Sequence, residues 1–113
     1  MDTDKQLEIA PRQGSDRTIL ELQGELDIVS APLLQKAVEN SPRSCSALVL
    51  DLRAVSFLDS TGLKAIFAVR KMVQERGQTF AVTQGSPQVE RLLGLTGLGD
   101  HLTTIVSPEA RIA

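Results

Sequence analysis

One aliphatic run, Ala47-Leu48-Val49-Leu50-Asp51-Leu52, limits the folds open to this chain more than any other feature. A strand with one face in water alternates apolar and polar residues. A run with almost no alternation reads as a strand covered on both faces. Such a strand needs a layer on either side, which points to an α/β architecture rather than to a bundle or an open hairpin.

The flanking sequence supplies those layers. Leu7 to Ala10 alternates weakly and is expected to stop at Pro11, and Gln13-Gly14-Ser15-Asp16 reads as a turn. Thr18 to Gln23 reads as a second strand, so the chain opens with a hairpin. Gly24-Glu25-Leu26-Asp27 is expected to form a loop. Ser30 is a candidate N-cap with Pro32 early in the helix, and Leu33, Leu34, Ala37 and Val38 recur on one helical face. Asn40-Ser41-Pro42 ends that helix. After the aliphatic run, Val55, Phe57 and Leu58 lead apolar side chains toward Asp59-Ser60-Thr61-Gly62, which opens a helix to about Arg76 with Gly77 as its stop. Leu63, Ile66, Phe67, Val69 and Val73 form its apolar face, and Lys64, Arg70, Lys71 and Gln74 fall mostly opposite.

Gln78 to Val82 reads as a strand. Ser86-Pro87 starts a helix striped by Val89, Leu92 and Leu93, which Gly94 to Gly99 are expected to end. His101 to Val106 is a weak last strand. The predicted order is β-β-α-β-α-β-α-β, a mixed β-sheet packed against α-helices in one domain over 1–113 with its core at about 7–106.

Composition removes several function classes. With 113 residues, 42% hydrophobic and 23% charged, the chain can bury a core without disulfides or metal. Its net charge of −2 leaves no electrostatic footprint for nucleic acid or an anionic membrane surface. Three Phe are the only aromatics, so base stacking and aromatic interface anchors are scarce. Cys45 is the single cysteine and is expected to be a partly buried bystander. The polar start Met1 to Lys5 does not resemble a secretory leader, no apolar run approaches the ~20 residues of a membrane span, and a cytoplasmic location is expected.

Chemistry concentrates at Asp59-Ser60-Thr61-Gly62. A hydroxyl at a helix start lies beside free backbone N–H groups and the positive end of the helix dipole, where negative charge is accepted. Phosphorylation of Ser60 would add about −1.5 to −2 charge beside Asp59. At roughly 8 Å from a carboxylate and an effective dielectric of about 20, two charges repel by about 4 kcal/mol before screening. Half of that, about 2 kcal/mol, is roughly thirtyfold in affinity. The competing reading is that Asp59 and Ser60 simply cap the helix.

Enzymatic readings fail on spacing. An aspartic-protease triplet needs Asp-Thr/Ser-Gly contiguous, and here one residue too many intervenes. No Gly-x-Ser-x-Gly elbow exists, and His101, the lone histidine, reads as a surface or packing residue. No metal-ligand spacing and no phosphate-cradling glycine motif is present, so neither metal nor cofactor is expected. Gly94, Gly97 and Gly99 read as turn glycines. The face of Lys64, Arg70 and Lys71 reads as solvated, or as a surface for an acidic partner.

Several segments together resemble one family. Leu22-Gln23-Gly24-Glu25-Leu26-Asp27, Leu50-Asp51-Leu52 through Phe57-Leu58-Asp59-Ser60-Thr61-Gly62-Leu63, and Ser86-Pro87-x-Val89-x-Arg91-Leu92-Leu93 with Leu95-Thr96-Gly97-Leu98 are similar to the STAS domain, in particular to bacterial anti-sigma factor antagonists. The resemblance runs from about Leu7 to Val106. It implies a protein that is not an enzyme but the substrate of an ATP-bound anti-sigma factor serine kinase. The unphosphorylated form binds the kinase and frees a sigma factor, phosphorylation ends the binding, and a PP2C-type phosphatase restores it. Carried over by residue, Ser60 is the phosphoacceptor, Asp59 and Thr61 flank it, Gly62 allows close backbone approach, and Asp27 lies near the kinase interface. Lys64 joins this partner-binding set. Asp27 has an alternative role as a cap of the first helix. The alternative function is a STAS subunit of another assembly, such as a lipid-transport component or a stress-signalling complex, that docks without modification.

Overall fold

The computed structural model describes residues 6–112. Met1 to Lys5, which the sequence reads as unlike a secretory leader, lie outside the described residues. Five strands, β1 (Glu8–Gln13), β2 (Arg17–Leu26), β3 (Ala47–Leu58), β4 (Thr79–Thr83) and β5 (Thr104–Ile105), alternate with helices α1 (Ala31–Glu39), α2 (Ser60–Glu75) and α3 (Pro87–Thr96). A short 3₁₀ turn, Leu98–His101, follows α3. The order is the predicted one.

The strands lie side by side in chain order, with β1 antiparallel to β2 and every later pair parallel. Each parallel crossover therefore steps in the same direction. Right-handed crossovers that all step one way put all their helices on one face. Leu20, Leu22, Leu48, Leu50, Leu52, Phe80 and Val82 meet the helices there. The alternate residues Ile19, Val49, Ala81 and Ile105 point to the opposite face, where Ala110 and Ile112 pack on them. The aliphatic run is thus covered on both sides, one by helices and the other by the segment after β5.

That segment is tied down by Arg17, which is 8% exposed. Its Nη1 donates to the carbonyls of Pro108 (3.1 Å) and Ala110 (2.7 Å), and its Nε donates to Asp16 (2.8 Å). Arg12 adds an ion pair to Glu109 at 2.6 Å.

Four expectations are corrected. Pro11 does not end β1, which continues to Gln13. β1 is an edge strand, where a residue without an N–H is tolerated. Gly24 does not start a loop, because β2 runs through it to Leu26 and stays paired with β3. It does so at φ 106°, a conformation open to glycine, between two register shifts. β3 likewise extends past the aliphatic run to Leu58, so Val55, Phe57 and Leu58 belong to the strand. Gly94 lies within α3, exposed; the left-handed residue that ends the helix is Gly97, and Gly99 belongs to the 3₁₀ turn. Ser86 caps α3 through Val89 N–H, and Gly77 terminates α2 with φ 79°, both as the sequence predicts.

Candidate functional site

β2 and β3 end together, Leu26 opposite Leu58, and the chain turns from each into a helix at the same end of the sheet. Asp59 is the N-cap of α2. Its extended backbone aims Oδ1 at the N–H of Gly62, 2.8 Å away, which satisfies one of the helix's free donors. Its own N–H reaches back to Leu26 O at 3.4 Å. Ser60 is therefore the first helical residue. It is exposed, and the cap is made by its neighbour rather than by its own hydroxyl. Thr61 is partly exposed.

Gly62 is buried where α2 crosses the end of β2. A Cβ on it would lie 2.2 Å from Leu26 O and 2.8 Å from a Leu58 methyl. Glycine is required here by contact, and the close approach sets how near Ser60 stands to the end of β2. Gln88 of α3 braces the same junction, accepting from Leu58 N–H at 3.0 Å and donating to Leu58 O at 3.2 Å.

Asp27 begins the turn between β2 and α1. Its Oδ1 accepts from the N–H groups of Val29 and Ser30, both at 3.1 Å, and its carbonyl accepts from Ala31 N–H at 2.8 Å. The carboxylate is thus committed to organising the entry into the first helix. Ser30 occupies the N-cap position but makes no side-chain cap. Its hydroxyl accepts from Asp27 N–H at 2.9 Å and lies 2.9 Å from Glu25 O. The Asp27–Ser30 lock holds Ile28 and Val29 outward at 69% and 76% exposure.

On the other side of Ser60 runs an apolar groove of about 310 Å³, lined by Ser60, Leu63, Lys64, Phe67, Thr96 and Leu98. Lys64, exposed, is the charged member of that lining. Asp59, Ser60, Thr61, Gly62 and Lys64 are thus brought together by the first turns of α2, with Asp27 on the adjoining turn. Lys71 points to solvent on α2 and Arg70 is partly exposed.

Sequence reasoning missed the apolar members of this end. Ile28 and Val29 carried a signal: two adjacent apolar residues between Asp27 and Ser30 have no strand or helix to bury them. Phe67 and Leu98 carried none, since the groove exists only where α2 meets the turn after α3.

Asp51 was missed as well. It is buried on the face of the sheet away from the helices, with Arg53 held to it by two 2.9 Å bonds and Thr83 Oγ1 at 3.2 Å. Burial pushes its carboxyl up, but the Arg53 guanidinium, the Arg53 N–H and the Thr83 hydroxyl outweigh that and hold it below the usual carboxylate range. An acid and a base two apart on a strand share a face, which was the available signal. Asp51 and Arg53 line a depression of about 570 Å³ with Glu8, Glu21 and Gln23. It lies along the strands, apart from Ser60, and its buried carboxylate is already paired.

His101 is exposed on the 3₁₀ turn, and no cluster of His, Cys, Asp and Glu among the described residues is placed to hold a metal ion. Cys45 is partly buried, its Sγ 3.4 Å from Gln13 Oε1 and 3.6 Å from Thr18 Oγ1. No helix among the described residues is long and apolar enough to cross a membrane.

Sequential strands with all helices on one face, and a Ser-Thr-Gly helix start at the carboxyl ends of the central strands, define an α/β domain of the STAS class. The chain belongs to the STAS domain family, whose model matches residues 6–110. Among curated relatives, it is 34% identical over 82 residues to an anti-sigma F factor antagonist of Paenibacillus polymyxa, covering 71% of this chain and 70% of that one. It is 30% identical over 101 residues to an anti-sigma-B factor antagonist of Bacillus subtilis, covering 89% and 93%. Among solved structures, an anti-sigma factor antagonist from Mycobacterium paratuberculosis superposes with a TM-score of 0.78 at 29% identity, covering 95% of this chain and 92% of that one.

Proposed function

We propose that this chain is an anti-sigma factor antagonist governed by phosphorylation at Ser60. The unphosphorylated form docks on an anti-sigma factor that is an ATP-bound serine kinase, which then releases its sigma factor for transcription. Phosphorylation ends the docking, and a PP2C-type phosphatase resets it. The chain is the kinase's substrate and ligand, works in the cytoplasm on protein partners, and itself catalyses nothing.

The names of the relatives support the class of function. One structural observation carries the switch. Ser60 stands exposed at the first position of α2 while Asp59 makes the cap, so its hydroxyl is accessible and the fold does not spend it. The docking surface is built from Asp27, Asp59, Ser60, Thr61 and Lys64, and the buried Gly62 serves it by letting α2 lie close to the end of β2. Asp27 contributes by holding its turn with Ile28 and Val29 outward.

Incubation with the partner kinase and ATP, followed by mass spectrometry, should place the phosphate on Ser60. In a binding assay, Ser60→Ala should bind persistently, the phosphorylated form should lose roughly thirtyfold, and Ser60→Asp, with one charge in place of about two, should lose roughly fivefold, the equivalent of about 1 kcal/mol. A phosphate found elsewhere, or equal binding by parent, S60A and S60D, overturns the proposal.

A further inference from the structure

We propose that Lys64 is the in-chain counter-charge of a phosphate on Ser60, and that this ion pair closes the apolar groove beside it. The inference rests on the phospho-switch reading above and gives it a second arm, occlusion in addition to repulsion.

Ser60 and Lys64 are four residues apart on α2. Residues at this spacing lie one above the other, with Cβ atoms about 5–6 Å apart, and an acid preceding a base is the favourable order. Both side chains line the same groove, whose other walls are Leu63, Phe67, Thr96 and Leu98. A lysine can lay its methylenes along such a wall and carry its ammonium to the rim. Lys64 forms no ion pair among the described residues.

Of the other charged groups at this end, two carboxylates hold their own turns and a third lines a separate depression. Asp59 Oδ1 accepts from Gly62 N–H, and Asp27 Oδ1 accepts from Val29 and Ser30 N–H. Asp100 lines a different depression with Glu90, Leu93 and Gly94. His101 is exposed on the 3₁₀ turn.

A phosphate on Ser60 brings about −1.5 to −2 charge to the groove's mouth. Drawing Lys64 onto it removes a cation from the docking surface and leaves a hydrated ion pair over apolar walls. A partner group entering the groove must then desolvate that pair, which is costly without compensating bonds.

Phosphoserine can be installed at position 60 during synthesis, without a kinase, in the parent, in Lys64→Met and in Lys64→Arg. The ³¹P shift of each is then titrated against pH around the ordinary second phosphate pKa of about 6. The parent and K64R should titrate roughly 0.3 unit below K64M, the gap a helical ion pair of this spacing produces. The gap should shrink at about 1 M salt, where the screening length is near 3 Å. Phosphorylation should move the Phe67 ring and Leu98 methyl resonances further in the parent than in K64M. Coincident midpoints for the three proteins, or equal phosphorylation-induced movements of Phe67 and Leu98 in parent and K64M, overturn the inference. The titration uses no partner, so a phosphorylated form that still grips the kinase defeats the switch without bearing on Lys64.

Discussion

Asp51 interrupts the aliphatic run of β3 with a side chain 8% exposed, and Arg53 and Thr83 hold its charge in place. Its carboxyl titrates lower in the folded chain than in the unfolded one. The stabilisation this represents is full above the unfolded value, near 3.9, and is lost as pH falls through the depressed folded value. Urea midpoints should therefore decline below about pH 4, and Asp51→Asn should make that decline shallower; an unchanged slope in D51N would remove the role assigned to Asp51. The sequence hid this acid because Thr83 is 32 positions away and on another strand. The places of Ser60 and Asp59 were legible for the opposite reason. They depend on a helix start that four consecutive residues encode.

Where elements meet, single atoms decide how near they come. α2 crosses β2 at Gly62, with Leu26 O and a Leu58 methyl occupying the space a Cβ would need. Gly62→Ala should destabilise the chain by about 2–3 kcal/mol in urea unfolding, because α2 must shift away from backbone that cannot yield. A cost below about 0.5 kcal/mol, the usual range of a surface change, would contradict that contact. Across the sheet, the segment after β5 is held by the buried Arg17 guanidinium on the carbonyls of Pro108 and Ala110. Arg17→Met should cost about 2 kcal/mol, as expected for loss of charged hydrogen bonds. It should also speed hydrogen exchange at 105–112 and trypsin cleavage at Arg111. Parent-like exchange in that segment would show that the packing of Ala110 and Ile112 and the Arg12–Glu109 pair hold it without Arg17. At this scale the sequence was misleading at Pro11, Gly24 and Gly94. Each is a poor former of its element, and each is carried by an edge position, by continued pairing with β3, or by a helix already anchored through Val89 and Leu93.

For the molecule as a whole, the candidate switch stands at the margin of a sheet that is packed on both faces. Leu50 and Val49, adjacent in β3, serve the two cores in turn. Neither core uses Ser60. A negative charge at the first helical position also suits the helix dipole. Ser60→Asp should therefore keep the parent's far-UV circular dichroism and its urea stability to within about 0.5 kcal/mol. A large loss of stability would mean that any binding defect in S60D is unfolding in disguise.

Element order, fold class and the helix start at Asp59-Ser60-Thr61-Gly62 were written in the sequence, because periodicity, capping and chain stops act over a few neighbouring residues. Which atoms stand around Ser60 was decided by the tertiary structure. The groove of Phe67 and Leu98, the Leu26 carbonyl against Gly62, the Arg17 clasp and the Thr83 bond to Asp51 each join residues far apart in the chain. Such pairs leave no local pattern. The groove and the Gly62 contact form because parallel strands laid in chain order bring their carboxyl ends, and the turns leaving them, to one edge of the sheet, whereas Arg17, at the start of β2, is met by the segment after β5, and Thr83 lies on the strand beside Asp51.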